Sequence, residues 1–266
     1  MKVKLKSGIY WVGAIDWNIR NFHGYSTHKG TTYNAYLVIG EKIALVDTVK
    51  APFCGEMLER INQIIAPERI DYLVTNHVEM DHSGSLPLLR ETLPRIEIFC
   101  SPRGEEELKQ HYGEEIPLKV VKTGDVLELG GKTLTFVEVP MVHWPDSMVT
   151  YVKEDKVLLP NDAFGQHIAS SERFDDELGW DTIRPELAKY YANIVMPYGA
   201  QVLKALEALK GIEIDVIGPS HGVIWRKHIP QLLATYEKWA KGETEKRCLV
   251  VYDTMWGSTE KMARAI

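Results

Sequence analysis

The chain has 266 residues, a formal net charge of −6 and a charged fraction of 26%. That length allows one large domain or two small ones, and the composition is ordinary for a globular fold in water. The acidic balance offers no footprint for nucleic acid or an acidic membrane surface. Lys2, Lys4 and Lys6 lead into no long apolar run, so neither a signal peptide nor a membrane span is expected. Cys54, Cys100 and Cys248 form no Cys-x-x-Cys pair, which implies reduced thiols and a cytoplasmic setting.

In chain order, residues 8–14 read as a strand and 21–27 as a polar, aromatic loop. Two β-rich runs at 32–39 and 42–47, joined by Gly40-Glu41, read as a hairpin. Asp47 ends the second run. It reads as a helix cap or turn former, or else as a carboxylate orienting a metal-bound histidine. Residues 52–66 carry Met57, Leu58, Ile61, Ile64 and Ile65 at helical spacing. A short buried strand at 70–74 feeds a loop with His77, Glu79, Asp81 and His82, and Leu86-Pro87 opens a helix to about 93. A strand at 96–100, a charged helix at 103–112 and strands at 118–122, 126–129, 132–139, 148–152 and 156–159 follow. So many strands broken by few helices predict two sheets with outer helices. Helices are expected over 183–209, broken near Pro197, and over 229–241. Residues 241–246 read as a linker, 248–253 as a buried strand, and a helix begins at Glu260.

Four metal-capable side chains within six residues, on a loop after a strand, are hard to reconcile with a merely solvated turn. His143, Asp162 and His221 each follow a strand-like run too, and that shared context argues for one site. Two ions would draw on His77, Glu79, Asp81, His143, Asp162 and His221, with His82 in reserve; metals in such sites stand roughly 3.5–4 Å apart. Imidazole and carboxylate without thiolate favour iron or manganese. Zinc in the same place would imply hydrolysis, because it has no redox chemistry. The 254–259 loop, a Thr/Ser/Gly turn between a strand and a helix, has the makings of a phosphate cradle.

His77-x-Glu79-x-Asp81-His82 resembles the metallo-β-lactamase superfamily signature, with glutamate where the hydrolases carry a second histidine. Together with His143, Asp162 and His221 it resembles the flavodiiron proteins. The strings Phe22-His23-Gly24-Tyr25, residues 30–36, Leu45-Val46-Asp47-Thr48 and His143-Trp144-Pro145-Asp146-Ser147 match that family as well. The resemblance covers residues 1–245 and implies an αββα sandwich with a non-haem di-iron site. It implies that His77, Glu79 and His143 hold one iron, that Asp81 and His221 hold the other, and that Asp162 bridges them. His82 would stand outside the ligand set, and His23, Tyr25 and Tyr198 would line the substrate pocket. Residues 246–266 resemble the start of a flavodoxin-like domain, in which Thr254, Met255, Trp256, Gly257, Ser258 and Thr259 would grip the phosphate of flavin mononucleotide (FMN). One strand and one helix make no flavodoxin sheet, so FMN binding needs the rest of that domain.

The resemblance thus implies reduction of dioxygen to water, of nitric oxide to nitrous oxide, or both, by a head-to-tail homodimer or tetramer. Electrons would pass through FMN from rubredoxin, another flavoprotein or a reduced deazaflavin. A binuclear zinc hydrolase is the alternative, against which Glu79 argues. A non-catalytic metal-binding or dimerisation module is the third reading.

Overall fold

Alternation along the strands decides the layering. In the strand Ile43–Val46, Ala44 and Val46 enter one core while Ile43 and Leu45 enter another. Its neighbour Tyr36–Ile39 divides the same way, with Tyr36 and Val38 on one side and Leu37 on the other. Successive side chains on a pleated strand must point to opposite faces. Both faces are buried here, which is why these strands read as continuous apolar runs.

The computed structural model describes residues 2–266. Its seven-stranded sheet runs Val3–Lys6, Ile9–Trp11, Tyr36–Ile39, Ile43–Val46, Tyr72–Thr75, Glu97–Cys100, Leu118–Val120. The first four are antiparallel and the rest join in parallel. The five-stranded sheet runs Val126–Glu128, Thr133–Glu138, Met148–Val152, Val157–Leu159, Val216–Ile217, parallel only at its last pair.

Val38, Val46 and Val74 of the first sheet meet Phe136, Met148 and Leu159 of the second in the central core. Outside the first sheet, Leu37 and Leu45 pack with Met57 and Ile61 of the helix Cys54–Asn62 and Leu89 of the helix Leu86–Thr92. Outside the second, Val149, Leu158 and Ile217 pack with the helices Trp180–Tyr190, Gly199–Ala208 and Ile229–Ala240. The result is the αββα sandwich expected from the sequence. No helix among the described residues is long and apolar enough to cross a membrane.

Some elements depart from expectation. The 8–14 run splits into Ile9–Trp11, in the large sheet, and Ala14–Asp16, which pairs with Thr31–Tyr33 in a separate ribbon. Gly13 stands at the break, where a Cβ would lie 2.1 Å from the Tyr33 carbonyl oxygen, so only glycine allows the crossing. The hairpin is therefore Tyr36–Ile39 with Ile43–Val46 alone. The long helix is interrupted near Pro197 as expected, but the interruption begins earlier, at Tyr191. It passes from Trp180–Tyr190 through a π-helical turn, Tyr191–Val195, and a 3₁₀ turn, Met196–Tyr198, into Gly199–Ala208. Residues 248–253 are not a buried strand: they take no regular structure, and Leu249 and Val251 are 85% and 84% exposed. Their composition suits a strand, but among the described residues no neighbouring strand offers them a ladder.

One polar clamp joins the halves of the sandwich. Buried Asn34 accepts from Trp11 Nε1–H at 2.8 Å and donates through its side-chain amide to the carbonyls of Pro219, 2.8 Å, and Gly222, 3.1 Å. Its backbone N–H donates to the Ser220 carbonyl at 2.8 Å, and the Tyr36 hydroxyl donates to the Pro219 carbonyl at 2.7 Å. The loop around His221 is thereby tied to the first sheet. Asn34→Ala should lower stability by about 1–3 kcal/mol for each buried group left unpaired. Urea denaturation measures this, and an unchanged midpoint would show the clamp to be dispensable.

Candidate metal centre

Every candidate ligand sits just past the end of a strand. The strand Tyr72–Thr75 runs into Asn76, His77 and Glu79, and the one-turn helix Met80–Ser83 then turns Asp81 and His82 inward while Met80 stays exposed. Asp47 anchors this loop. Its carboxylate accepts from the Asn76 backbone N–H at 2.7 Å and from the Asn76 side-chain amide at 3.1 Å. Burial pushes the Asp47 carboxyl up to about 6. Asp47 therefore holds the ligand loop itself, and no hydrogen bond from it to a histidine is seen among the described residues.

The carboxylate that orients a histidine is Asp146. It lies 2.9 Å from His77 Nδ1 and also accepts from the Val78 N–H at 2.7 Å. With Nδ1 so engaged, His77 presents Nε2 inward. His221 is fixed in the same manner, its Nδ1 2.6 Å from the Thr32 carbonyl oxygen. Gly222 follows with φ +80°, and a Cβ there would fall 1.6 Å from Gln166 Oε1, so this turn admits only glycine.

Three overlapping donor groups result, the last two being His23, Asp81, His221 and His82, Asp162, His221, and they merge into two sets. His77, Glu79, His143 and Asp162 each offer an atom within 4.8 Å of the others. In this set His143 Nε2 lies 2.9 Å from Asp162 Oδ2 and 3.6 Å from Glu79 Oε2, and His77 Nε2 lies 3.4 Å from Glu79 Oε2. The second set centres on Asp81. His221 Nε2 is 3.1 Å from Asp81 Oδ2 and 3.4 Å from Asp162 Oδ1. His82 Nε2 is 3.2 Å and 3.1 Å from the same two oxygens. Asp162 thus turns one oxygen to each set. The resemblance keeps His82 outside the ligands, whereas its Nε2 here points into the second set beside His221.

These residues fit metal ions. Among the described residues, the buried atoms His77 Nε2, Glu79 Oε2, Asp81 Oδ1 and Oδ2, His82 Nε2, Asp162 Oδ1 and His221 Nε2 have no hydrogen-bond partner. Each such atom costs about 1–3 kcal/mol when left unpaired, and cations would engage them together. Without an ion the imidazoles serve the carboxylates. Burial opposes the charge on Asp81, but His82 and His221 hold its carboxyl below the usual range. Burial also lowers His82, yet Asp81 and Asp162 lift it to about 9. Binding a cation would release those protons.

The wall over the centre is aromatic and imidazole-rich. His23 stacks on Phe22 at 3.9 Å, and its Nε2 lies 3.5 Å from Glu79 Oε1 and 3.7 Å from Asp81 Oδ2. Burial draws His23 down to about 4, so its ring is neutral. Its Nδ1 meets His167 Nε2 at 3.3 Å, and His167 Nδ1 lies 2.7 Å from Thr31 Oγ1. The Tyr25 ring lies 5.6 Å from His167. Tyr198 occupies the 3₁₀ turn and is half-buried. The tyrosine that packs on this cluster is Tyr190, 5.1 Å from His167 and 6.0 Å from His221. His167 and Tyr190 escaped the sequence reading. His167 follows Asp162 by five positions on the same strand-end loop, so the rule that selects Asp162 reaches it; Tyr190 lies in an amphipathic helix and carries no comparable signal.

At the far end of the chain, Gly257 takes φ +77° and donates its N–H to Thr254 Oγ1 at 2.9 Å, just before the helix Ser258–Ala265. Met255 and Trp256 are 84% and 89% exposed. Hydroxyls and a helix start suit a phosphate, but this segment raises no wall for a flavin ring.

A family model described as "ODP family beta lactamase" matches residues 31–222. The chain is 51% identical over 269 residues to a nitric oxide reductase of Moorella thermoacetica, covering 99% of this chain and 67% of that protein. Among solved structures, rubredoxin oxygen:oxidoreductase from Desulfovibrio gigas superimposes with a TM-score of 0.96 at 47% identity, over 99% of this chain and 67% of that one. A flavodiiron protein from Giardia intestinalis gives 0.95 at 40% identity, over 100% of this chain and 66% of that one. The chain therefore spans about two thirds of the length of the relatives it matches.

Asp146→Ala should weaken metal binding about 10–100-fold, the usual cost of losing the partner of a ligating histidine. Competition titration against a chelator measures it; unaltered affinity would mean that His77 needs no such partner.

Proposed function

The chain belongs to the flavodiiron proteins, and on that footing we propose that it is a di-iron oxidoreductase that reduces dioxygen to water, nitric oxide to nitrous oxide, or both. The observation that carries this reading is Asp162, one oxygen toward each of two donor sets. His77, Glu79 and His143 would hold one iron, Asp81 and His221 the other, with His82 as a further donor to the second and Asp162 between them. Such an iron pair would supply electrons and Lewis acidity to a small gas molecule bound beside it.

The remaining work falls to the chain's own groups. Asp146 and the Thr32 carbonyl keep His77 and His221 turned with Nε2 inward. Either reduction consumes protons as well as electrons, so a proton-bearing wall is needed. His23 faces Glu79 and Asp81 from that wall, and the Tyr25 and Tyr190 hydroxyls are buried with no partner among the described residues. Phe22, His167 and Tyr190 close round His23 and limit water. Glu79 speaks against a zinc hydrolase, since the replacement of imidazole by carboxylate hardens the donor set.

Electron entry is part of the proposal. Residues 1–245 would form the di-iron domain and 246–266 the start of a flavodoxin-like unit, with Thr254 to Thr259 on the FMN phosphate once the rest of that unit is present. A head-to-tail dimer or tetramer, a cytoplasmic setting, and a donor such as rubredoxin, another flavoprotein or reduced deazaflavin accompany that arrangement.

Protein produced with iron and zinc both available should retain iron. Joined to a flavin unit, given one artificial donor, and with each gas admitted separately to an otherwise anaerobic mixture, it should consume dioxygen, nitric oxide or both. Zinc alone, with hydrolysis and no redox turnover, would overturn the proposal. Glu79→Ala should lose iron from the first set; full iron content and activity in that variant would remove Glu79 from the ligands.

A further inference from the structure

A small apolar pocket, partly open to the surface at Ala208, lies between the second sheet and its helices. It measures about 30 Å³, room enough for one or two small molecules, since a single water needs about 10–15 Å³ on this measure. Its walls include Val142, Ala163, Phe164, Ala205 and Tyr236. The only polar side chain among them is Tyr236, whose hydroxyl is already engaged at 2.9 Å by the Phe164 N–H. Water needs two to four polar partners, so walls of this kind favour apolar guests over water. Val142 directly precedes His143 and Ala163 directly follows Asp162. The cavity therefore backs onto the two strand-end loops that carry ligands from the second sheet.

A second hollow adjoins the cavity. A groove of about 240 Å³ open to solvent, flanked by Glu138, Gln201 and Lys204, shares Val139, Ala205 and Ala208 with it. Alanines stand at the shared wall, on the helix Gly199–Ala208. Residues of that size leave more open space at this wall than leucine or phenylalanine would. Protein interiors are close-packed, and an unfilled space forfeits dispersion contacts.

The geometry points to a binding site for a small apolar gas, dioxygen or nitric oxide, in this cavity, loaded from the groove past Ala205 and Ala208. The site would hold the gas one residue behind the metal centre and raise its local concentration there. No bond is made or broken in it. This inference rests on the gas-reducing function proposed above.

Xenon, an inert apolar probe of matching size, tests it directly. Crystals of the iron-loaded chain pressurised with xenon should show density between Val142, Ala163 and Ala205, and Ala205→Phe should abolish it. Stopped-flow mixing of the chemically reduced protein with nitric oxide should then show several-fold slower association in Ala205→Phe at undiminished iron content. Ala205→Leu, a smaller plug, should give the same effect in milder form if the phenylalanine variant does not fold. A cavity empty of xenon in the unaltered protein, or a plug that leaves the association rate unchanged, would overturn the inference. Failure of the reductase reading looks different: the unaltered iron-loaded protein would then take up neither gas.

Discussion

The structure is governed by the burial of two carboxylates and three imidazoles at one edge of an apolar sandwich. Asp81, Asp162, His77, His82 and His221 are each no more than 3% exposed. In so dry a place these groups are tolerable only if they face one another or share a cation. The surrounding scaffold is arranged to that end. Asp47 holds the first ligand loop, Asp146 turns His77, and Thr32 turns His221. Each of these anchors is itself buried, so the centre's geometry is inherited from packing on all sides.

Much of this was legible in the residues. Four ligand types within six positions, and three more at strand ends, are local signals, and the continuous apolar strands announce a doubly covered sheet. Other features depended on contacts that no local pattern encodes. Tyr190 reaches the centre only because the helix Trp180–Tyr190 folds over it. The role of Asp146 needs the loop after Thr133–Glu138 to meet the loop after Tyr72–Thr75, a pairing between sheets. Residues 248–253 show the converse failure: their propensity for a strand is plain, but a strand requires a neighbour to pair with.

Glu79 and His82 show how one loop divides its labour. Glu79 stands at the N-cap of the helix Met80–Ser83, and its side chain leans toward His77 and His143. The helical turn then swings Asp81 and His82 toward His221. The irregular segment from Asn76 to Glu79 followed by one turn of helix thus serves two donor sets. The flavodiiron signature is in this sense a statement about backbone geometry as well as about ligand chemistry.

The polar clamp at Asn34 acquires a different meaning beside the metal centre. His77, Glu79, Asp81 and His82 follow a strand of the first sheet, while His143, Asp162 and His221 follow strands of the second. Asn34 and Tyr36 already fasten the 219–222 loop to the first sheet. A cation pair at the edge would cross-link the same two halves at a second point, and its affinity would add to their cohesion by mass action. If the proposed iron is the bound metal, its supply and the fold's stability would be linked quantities. In a cell short of iron, the same chain would be easier to pull apart into its two sheets, and turnover by proteases would track the metal.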